Sequence, residues 1–164
     1  MSKNIKQSVT FKTTPHEIYE LLMDSKKHAE FTGGEAKISR KEGRKFSISG
    51  GDITGINLEL VPDQKIVQSW RYSDWPEGVY SKATFALEKV ASGTRLIFAQ
   101  NGVPDDKYED IKKGWKFRQY LILSGSFWAL SIQRPTTFWD GSSRTILCFL
   151  LASAIARARL AGLR

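Results

Sequence analysis

Ser69-Trp70-Arg71-Tyr72-Ser73-Asp74-Trp75-Pro76-Glu77-Gly78-Val79-Tyr80 decides how the rest of this chain is read. Apolar and polar residues alternate into it through Ile66-Val67-Gln68. The alternation resumes at Tyr80-Ser81-Lys82-Ala83-Thr84-Phe85-Ala86-Leu87. A period of two puts successive side chains on opposite faces, so each flank predicts a half-buried strand. Pro76 and Gly78 interrupt the pattern and predict the loop that joins the strands. Each strand approaches the loop with a large aromatic.

Working outward, the same signals recur. Thr94–Gln100 continues the sheet after a turn at Ala91-Ser92-Gly93, making a second hairpin with Tyr80–Val90. On the other side, Ile53–Val61 predicts a long strand with Ile56, Leu58 and Leu60 on one face, turning at Pro62-Asp63 into Lys65–Tyr72. Glu35–Arg40 and Arg44–Ser49 form a hairpin about Glu42-Gly43, and Ile5–Thr13 is a first strand. Thr14-Pro15-His16-Glu17 has the form of a capping box with proline in the first turn, and it starts a helix to about Asp24. Ser25 is expected to cap a second short helix, which ends at Gly33-Gly34. Gly102-Val103-Pro104-Asp105 leads into a last helix from about Asp106, with Asp105, Asp106, Glu109 and Asp110 near its positive end. The order is one strand, two helices, about six strands and one long helix. That predicts an α+β domain: a curved antiparallel sheet, its apolar face covered by the last helix.

The chain has 164 residues, 41% of them hydrophobic and 26% charged, which suits a globular domain with a real core. Met1-Ser2-Lys3-Asn4 lacks an apolar leader, and a cytoplasmic location is expected. The one cysteine, Cys148, excludes an internal disulfide. The net charge of +8 invites a nucleic-acid reading, but the charge is unevenly placed. Residues 1–116 carry 19 Lys+Arg against 16 Asp+Glu; residues 117–164 carry 6 against 1. The basic residues also change kind, from 15 Lys and 4 Arg before the break to 6 Arg and no Lys after it. The folded part is therefore close to neutral, and no nucleic-acid partner is expected.

Gly114-Trp115 falls within the last helical pattern. Together, W-x4-W-P-E-G and this late G-W resemble the domain family named for the activator of the 90-kilodalton heat-shock chaperone ATPase. That family is a branch of the START-like helix-grip superfamily, with polyketide-cyclase-like and steroid-transfer-like relatives. The resemblance runs from Ile5 to about Tyr120. It implies a helix-grip fold over residues 1–125, the sheet wrapped around the C-terminal helix. It also implies a binding role toward that chaperone, here without the family's separate N-terminal activating domain. The superfamily uses the space between sheet and last helix for hydrophobic ligands. On that basis Tyr19, Phe31, Trp70, Phe85, Phe98 and Trp115 are the ligand-cavity candidates, against the reading that such aromatics simply fill a core. Asp74, Trp75, Pro76, Glu77 and Gly78 are the partner-binding candidates, because a loop tryptophan is expected to leave apolar area exposed.

Chemistry is sparse. His16 and His28 are expected on the surface, and no His/Cys/Asp cluster has metal-ligand spacing. Gly50-Gly51-Asp52 lacks the Lys-Ser/Thr of a phosphate loop and reads as a turn. Glu35 and Glu59 read as surface carboxylates. No catalytic residue, cofactor or metal is expected. A cochaperone-like binding module comes first, a carrier of a small hydrophobic ligand second and a cyclase-like enzyme third.

After about Tyr120 the family pattern stops. Residues 126–164 are read as an atypical tail: a functional extension, a membrane-associating segment or a coding segment foreign to the ancestral frame. The apolar run from Ile146 to Ala156 is too short to span a bilayer, which takes about 20 residues. A chain ending between Leu123 and Gly125 is expected to melt in one cooperative transition. Failure of that shortened chain to fold, where the full chain folds, would make the tail integral to the domain.

Overall fold

The structure, a computed structural model, describes residues 2–123. The tail 126–164, with Cys148 and the 146–156 run, lies outside the described residues.

Strand β1 (Ser2–Phe11) is followed by helices α1 (Pro15–Met23) and α2 (Ser25–Thr32). Six strands come next: β2 (Lys37–Ile38), β3 (Lys45–Ile48), β4 (Ile53–Val61), β5 (Lys65–Tyr72), β6 (Ser81–Val90) and β7 (Gly93–Pro104). Helix α3 (Tyr108–Leu123) closes the domain, entered through a 3-10 turn at Asp105–Lys107. The seven strands make one antiparallel sheet in the order β1-β7-β6-β5-β4-β3-β2. Each strand from β2 to β7 pairs with its sequence neighbour. The one long-range closure brings β1 against β7, Ile5 opposite Gln100 and Phe11 opposite Thr94. This pairing lengthens both strands beyond the alternation: β1 begins at Ser2, opposite Pro104, the last residue of β7.

The helix starts follow their capping chemistry. Thr14 accepts from the Glu17 amide, and Glu17 reaches back to the Thr14 amide and to the Thr13 hydroxyl. For α2 the expected cap is corrected. Asp24, not Ser25, accepts the Lys27 amide (2.9 Å), because the chain leaves α1 in an extended conformation at Asp24. Ser25 instead accepts the Ile38 amide (2.9 Å), tying α2 to β2. Gly33 ends α2 at φ 73°, a left-handed conformation that costs glycine little. Arg40 clamps α1 from outside, its two terminal nitrogens donating to the Glu20 carboxylate at 2.6 and 2.9 Å. That bond holds the Glu20 carboxyl below its usual range.

Two sequence expectations about facing are corrected. In β4, Ile53, Gly55 and Asn57 face the core, while Leu58 is 49% exposed. The cause is a bulge: Asn57 pairs with Gln68 but Glu59 pairs with Val67, so the strand's parity changes at Leu58. Leu60, beyond the bulge, does pack against the core. His28 is buried at 5% exposure, because helical periodicity turns it inward while Lys26 and Lys27 stay outside. His16 is exposed and meets the Asp63 carboxylate at 3.0 Å.

Gly55 shows how tightly the inner face is built. It lies between Phe46 on β3 and Trp70 on β5, whose rings approach to 5.7 Å across it. A Cβ there would fall 1.8 Å from the Ser69 carbonyl oxygen and 2.7 Å from the Phe46 ring. Gly55→Ala is therefore expected to destabilise the domain by ~3 kcal/mol, the upper end of overpacking costs. Urea denaturation should show a lowered midpoint at unchanged slope. An unchanged midpoint would mean that β4 can shift away from Phe46.

Candidate functional site

The inner face of the sheet presents Trp70 from β5, Phe85 from β6 and Phe98 from β7. Trp115 descends on them from α3. Its ring centroid lies 4.0 Å from Phe98, 5.2 Å from Trp70 and 5.6 Å from Phe85. Phe85 and Phe98 are cross-strand partners with ring centroids 5.1 Å apart. The tilted and edge-on geometries suit aromatic quadrupoles. Tyr19 joins the same buried cluster from α1, and burial raises its phenol pKa. Phe31 lies on α2; its side chain is outside the description. The structure thus gathers four of the six cavity candidates into mutual contact, with Tyr19 in the surrounding core.

Two tryptophan N–H groups enter this apolar space and must be paired there. Trp115 Nε1 donates to Gln100 Oε1 (2.8 Å), and Gln100 Nε2 donates to Ser81 Oγ (2.8 Å). Trp70 Nε1 donates to Gln68 Oε1 (2.9 Å), and Gln68 Nε2 donates to Asn57 Oδ1 (2.8 Å). The Asn57 amide donates in turn to the Ser39 and Lys41 carbonyls. Gln68, Asn57, Ser81 and Gln100 are all buried. Reading aromatics alone missed these amides. A signal was present: Gln68 and Gln100 occupy inward positions of strands whose other inward residues are Ile66 and Trp70, or Leu96 and Phe98. A polar residue at such a position announces a buried partner.

The loop after β5 is corrected. Trp75 is 3% exposed, not an exposed anchor. Its ring packs on Tyr72, 5.2 Å away, and Arg71 Nη2 donates to its carbonyl (2.8 Å). The Trp75 amide donates to the Tyr72 carbonyl (3.1 Å), a turn that returns the tryptophan to the core cluster instead of projecting it. Asp74, Pro76, Glu77 and Gly78 remain exposed, and Tyr80 beyond them is 55% exposed. Asp74 accepts from Lys107 Nζ (2.6 Å), a bond that raises the Lys107 pKa and fastens the loop to the entry of α3.

Glu35 is exposed and Glu59 half-buried, and they pair with Lys37 (3.0 Å) and Lys65 (2.9 Å). Among the described residues no three His, Cys, Asp or Glu side chains gather as metal ligands. No described helix is long and apolar enough to cross a membrane. A surface cleft of about 780 Å³ lies between Lys12–Glu17 and Lys89–Gly93, away from the aromatic cluster.

The fold defines the class: an α+β helix-grip domain, its antiparallel sheet closed by a C-terminal helix. The chain belongs to the family described as Activator of Hsp90 ATPase homolog 1-like protein, whose model matches residues 12–119. It is 34% identical over 116 residues to an activator of 90 kDa heat shock protein ATPase homolog from Dictyostelium discoideum, covering 70% of this chain and 30% of that protein. It is 31% identical over 107 residues to the human homolog 1, covering 65% and 32%. The match therefore spans about a third of those relatives' length. Among solved structures, an HSP90 activator from Plasmodium falciparum superposes with a TM-score of 0.62 at 30% identity, over 70% of this chain and 87% of that one. The Aha1 dimer from Colwellia psychrerythraea shares the fold, with a TM-score of 0.66 at 18% identity, over 81% and 99%.

Trp75→Ala is expected to act as a core truncation, costing ~3–5 kcal/mol of stability. The readout is the urea midpoint. A change below about 1 kcal/mol would return the ring to the surface.

Proposed function

We propose that this domain is a cochaperone-like binding module for a 90-kilodalton heat-shock chaperone. Its sequence relation to proteins named as activators of that chaperone's ATPase, carried over residues 12–119, supports this reading most directly. The site is consistent with binding rather than catalysis. Its interior polar groups are hydrogen-bonded to one another, and its exposed groups are spread over strand and loop surfaces. The proposed action is docking that biases the chaperone's conformation, in the cytoplasm, with no bond made or broken by this chain.

The carrier reading has less support. Trp70, Phe85, Phe98 and Trp115 pack their rings against one another between sheet and α3, and the indole N–H groups donate to Gln68 and Gln100. A ligand entering there would have to displace those contacts. An enzyme of the cyclase kind has least support.

The test is titration of the full chain into purified chaperone, read by calorimetry and by the chaperone's ATP turnover. Saturable binding at roughly tens of micromolar or tighter, about −6 kcal/mol or better, is expected, with modest change in turnover. No binding in that range would end the cochaperone reading. Saturable uptake of an apolar dye competed by fatty acids would then favour the carrier.

A further inference from the structure

The outer face of the sheet sets aliphatic residues among the polar ones, such as Ser69 and Thr84, expected of an antiparallel sheet open to water on one side. Register and burial place Ile56, Val67, Ala86, Ile97 and Ala99 there as a half-buried or buried aliphatic field across four strands. The β4 bulge adds Leu58. Asn57 before it and Leu60 after it both turn inward, so Leu58 and Glu59 lie side by side on the outer face, and Leu58 stands 49% exposed.

Cations surround this field. Lys45 is opposite Ile56, which is opposite Ser69, which is opposite Lys82, so the two lysines share one row. Three strand spacings separate them, about 14 Å. Lys6, opposite Ala99, marks the far side. The only acids in the seven strands are Glu59 and Glu88, and both are already paired, with Lys65 and Arg95. Among the described residues no carboxylate stands within 4.0 Å of the Lys6, Lys45 or Lys82 ammonium. No aromatic of β4 to β7 lies on this face, because Trp70, Tyr72, Phe85 and Phe98 all belong to the inner one.

The geometry points to this outer face as a docking surface for an acidic protein surface with an aliphatic centre. An apolar middle with a charged rim is the ordinary layout of a protein interface, and uncompensated lysines select carboxylates by charge complementarity. A single-stranded nucleic acid would need stacking rings, which this face lacks. In naming a chaperone as the partner, this inference rests on the cochaperone reading above; the charge selectivity does not.

The full chain is compared with Lys45→Glu/Lys82→Glu, with Leu58→Ser, and with Lys12→Glu/Lys26→Glu, which makes the same charge change at exposed sites off this face. Thermal melts check that each variant folds. Binding to the purified chaperone is expected to weaken at least 10-fold in the first variant and about 5-fold in the second, and to stay within twofold of wild type in the control. Wild-type affinity should also fall as potassium chloride is raised. If wild type binds and both face variants match it, the docking surface is wrong while the cochaperone reading stands.

A second arm does not need the chaperone. Poly-L-glutamate is titrated into the ¹⁵N-labelled full chain. Amide shifts confined to β3–β7, and lost in Lys45→Glu/Lys82→Glu, support the acidic-partner surface even if the chaperone does not bind. Absence of such shifts together with absence of chaperone binding overturns both readings. Tighter face-dependent binding to duplex DNA or to phosphatidylserine vesicles than to poly-L-glutamate overturns the assignment to a protein partner.

Discussion

The seating of Trp115 is the interaction on which the rest of this domain depends. The inner face of the antiparallel sheet cannot cover itself, and α3 supplies the cover together with Ile18, Tyr19 and Met23 of α1. Trp115 brings one ring into contact with β5, β6 and β7 at once. Its N–H would be costly in that environment without an acceptor, by about 1–3 kcal/mol. Gln100 provides one from the strand that also pairs with β1. Helix position, closure of the sheet by β1 and burial of the aromatic cluster are thus joined through one side chain.

The two amide chains extend that logic. Gln100 bonds Ser81, whose hydroxyl donates to the Trp70 carbonyl (3.4 Å), while Gln68 connects the Trp70 ring to Asn57 and so to the backbone before β3. A purely aliphatic interior would tolerate many packings of similar energy. Directional bonds among buried amides favour one register and one ring arrangement. On the proposed cochaperone reading, recognition falls to the outside of the sheet and to the loops. The relation to chaperone activators and the basic, aliphatic outer face fit that division.

Legibility of the sequence varied with the range of the interaction. The β4 and β5 spans, the capping box at Thr14 and Glu17, the glycine stop at Gly33 and the turn at Ala91-Ser92-Gly93 depend on neighbours in the chain, and alternation or turn chemistry exposes them. Trp75 was misread because loop membership says nothing about which way a ring folds. Tyr72 and Arg71 hold it, and their hold is set by the shape of the turn. Leu58 was misplaced because a bulge changes strand parity without a residue that announces it. His28 was misread because lysine neighbours outweighed helical period.

By itself, the sequence determined the class and order of elements, the family pattern around Trp70, Trp75 and Trp115, and the break in basic residues near 117. These follow from periodicity and composition, which are local properties. Only the tertiary structure decided which faces meet. It brought Gln100 beside Trp115 and Gln68 beside Asn57, turned Trp75 inward, and gathered Lys45 and Lys82 into one row with aliphatic residues from other strands. Except for Trp75, held by its near neighbours Tyr72 and Arg71, these arrangements join residues distant along the chain. Their proximity is set by strand register and by the docking of a helix, where packing and hydrogen-bond satisfaction across the whole sheet select among arrangements that local propensity leaves equal.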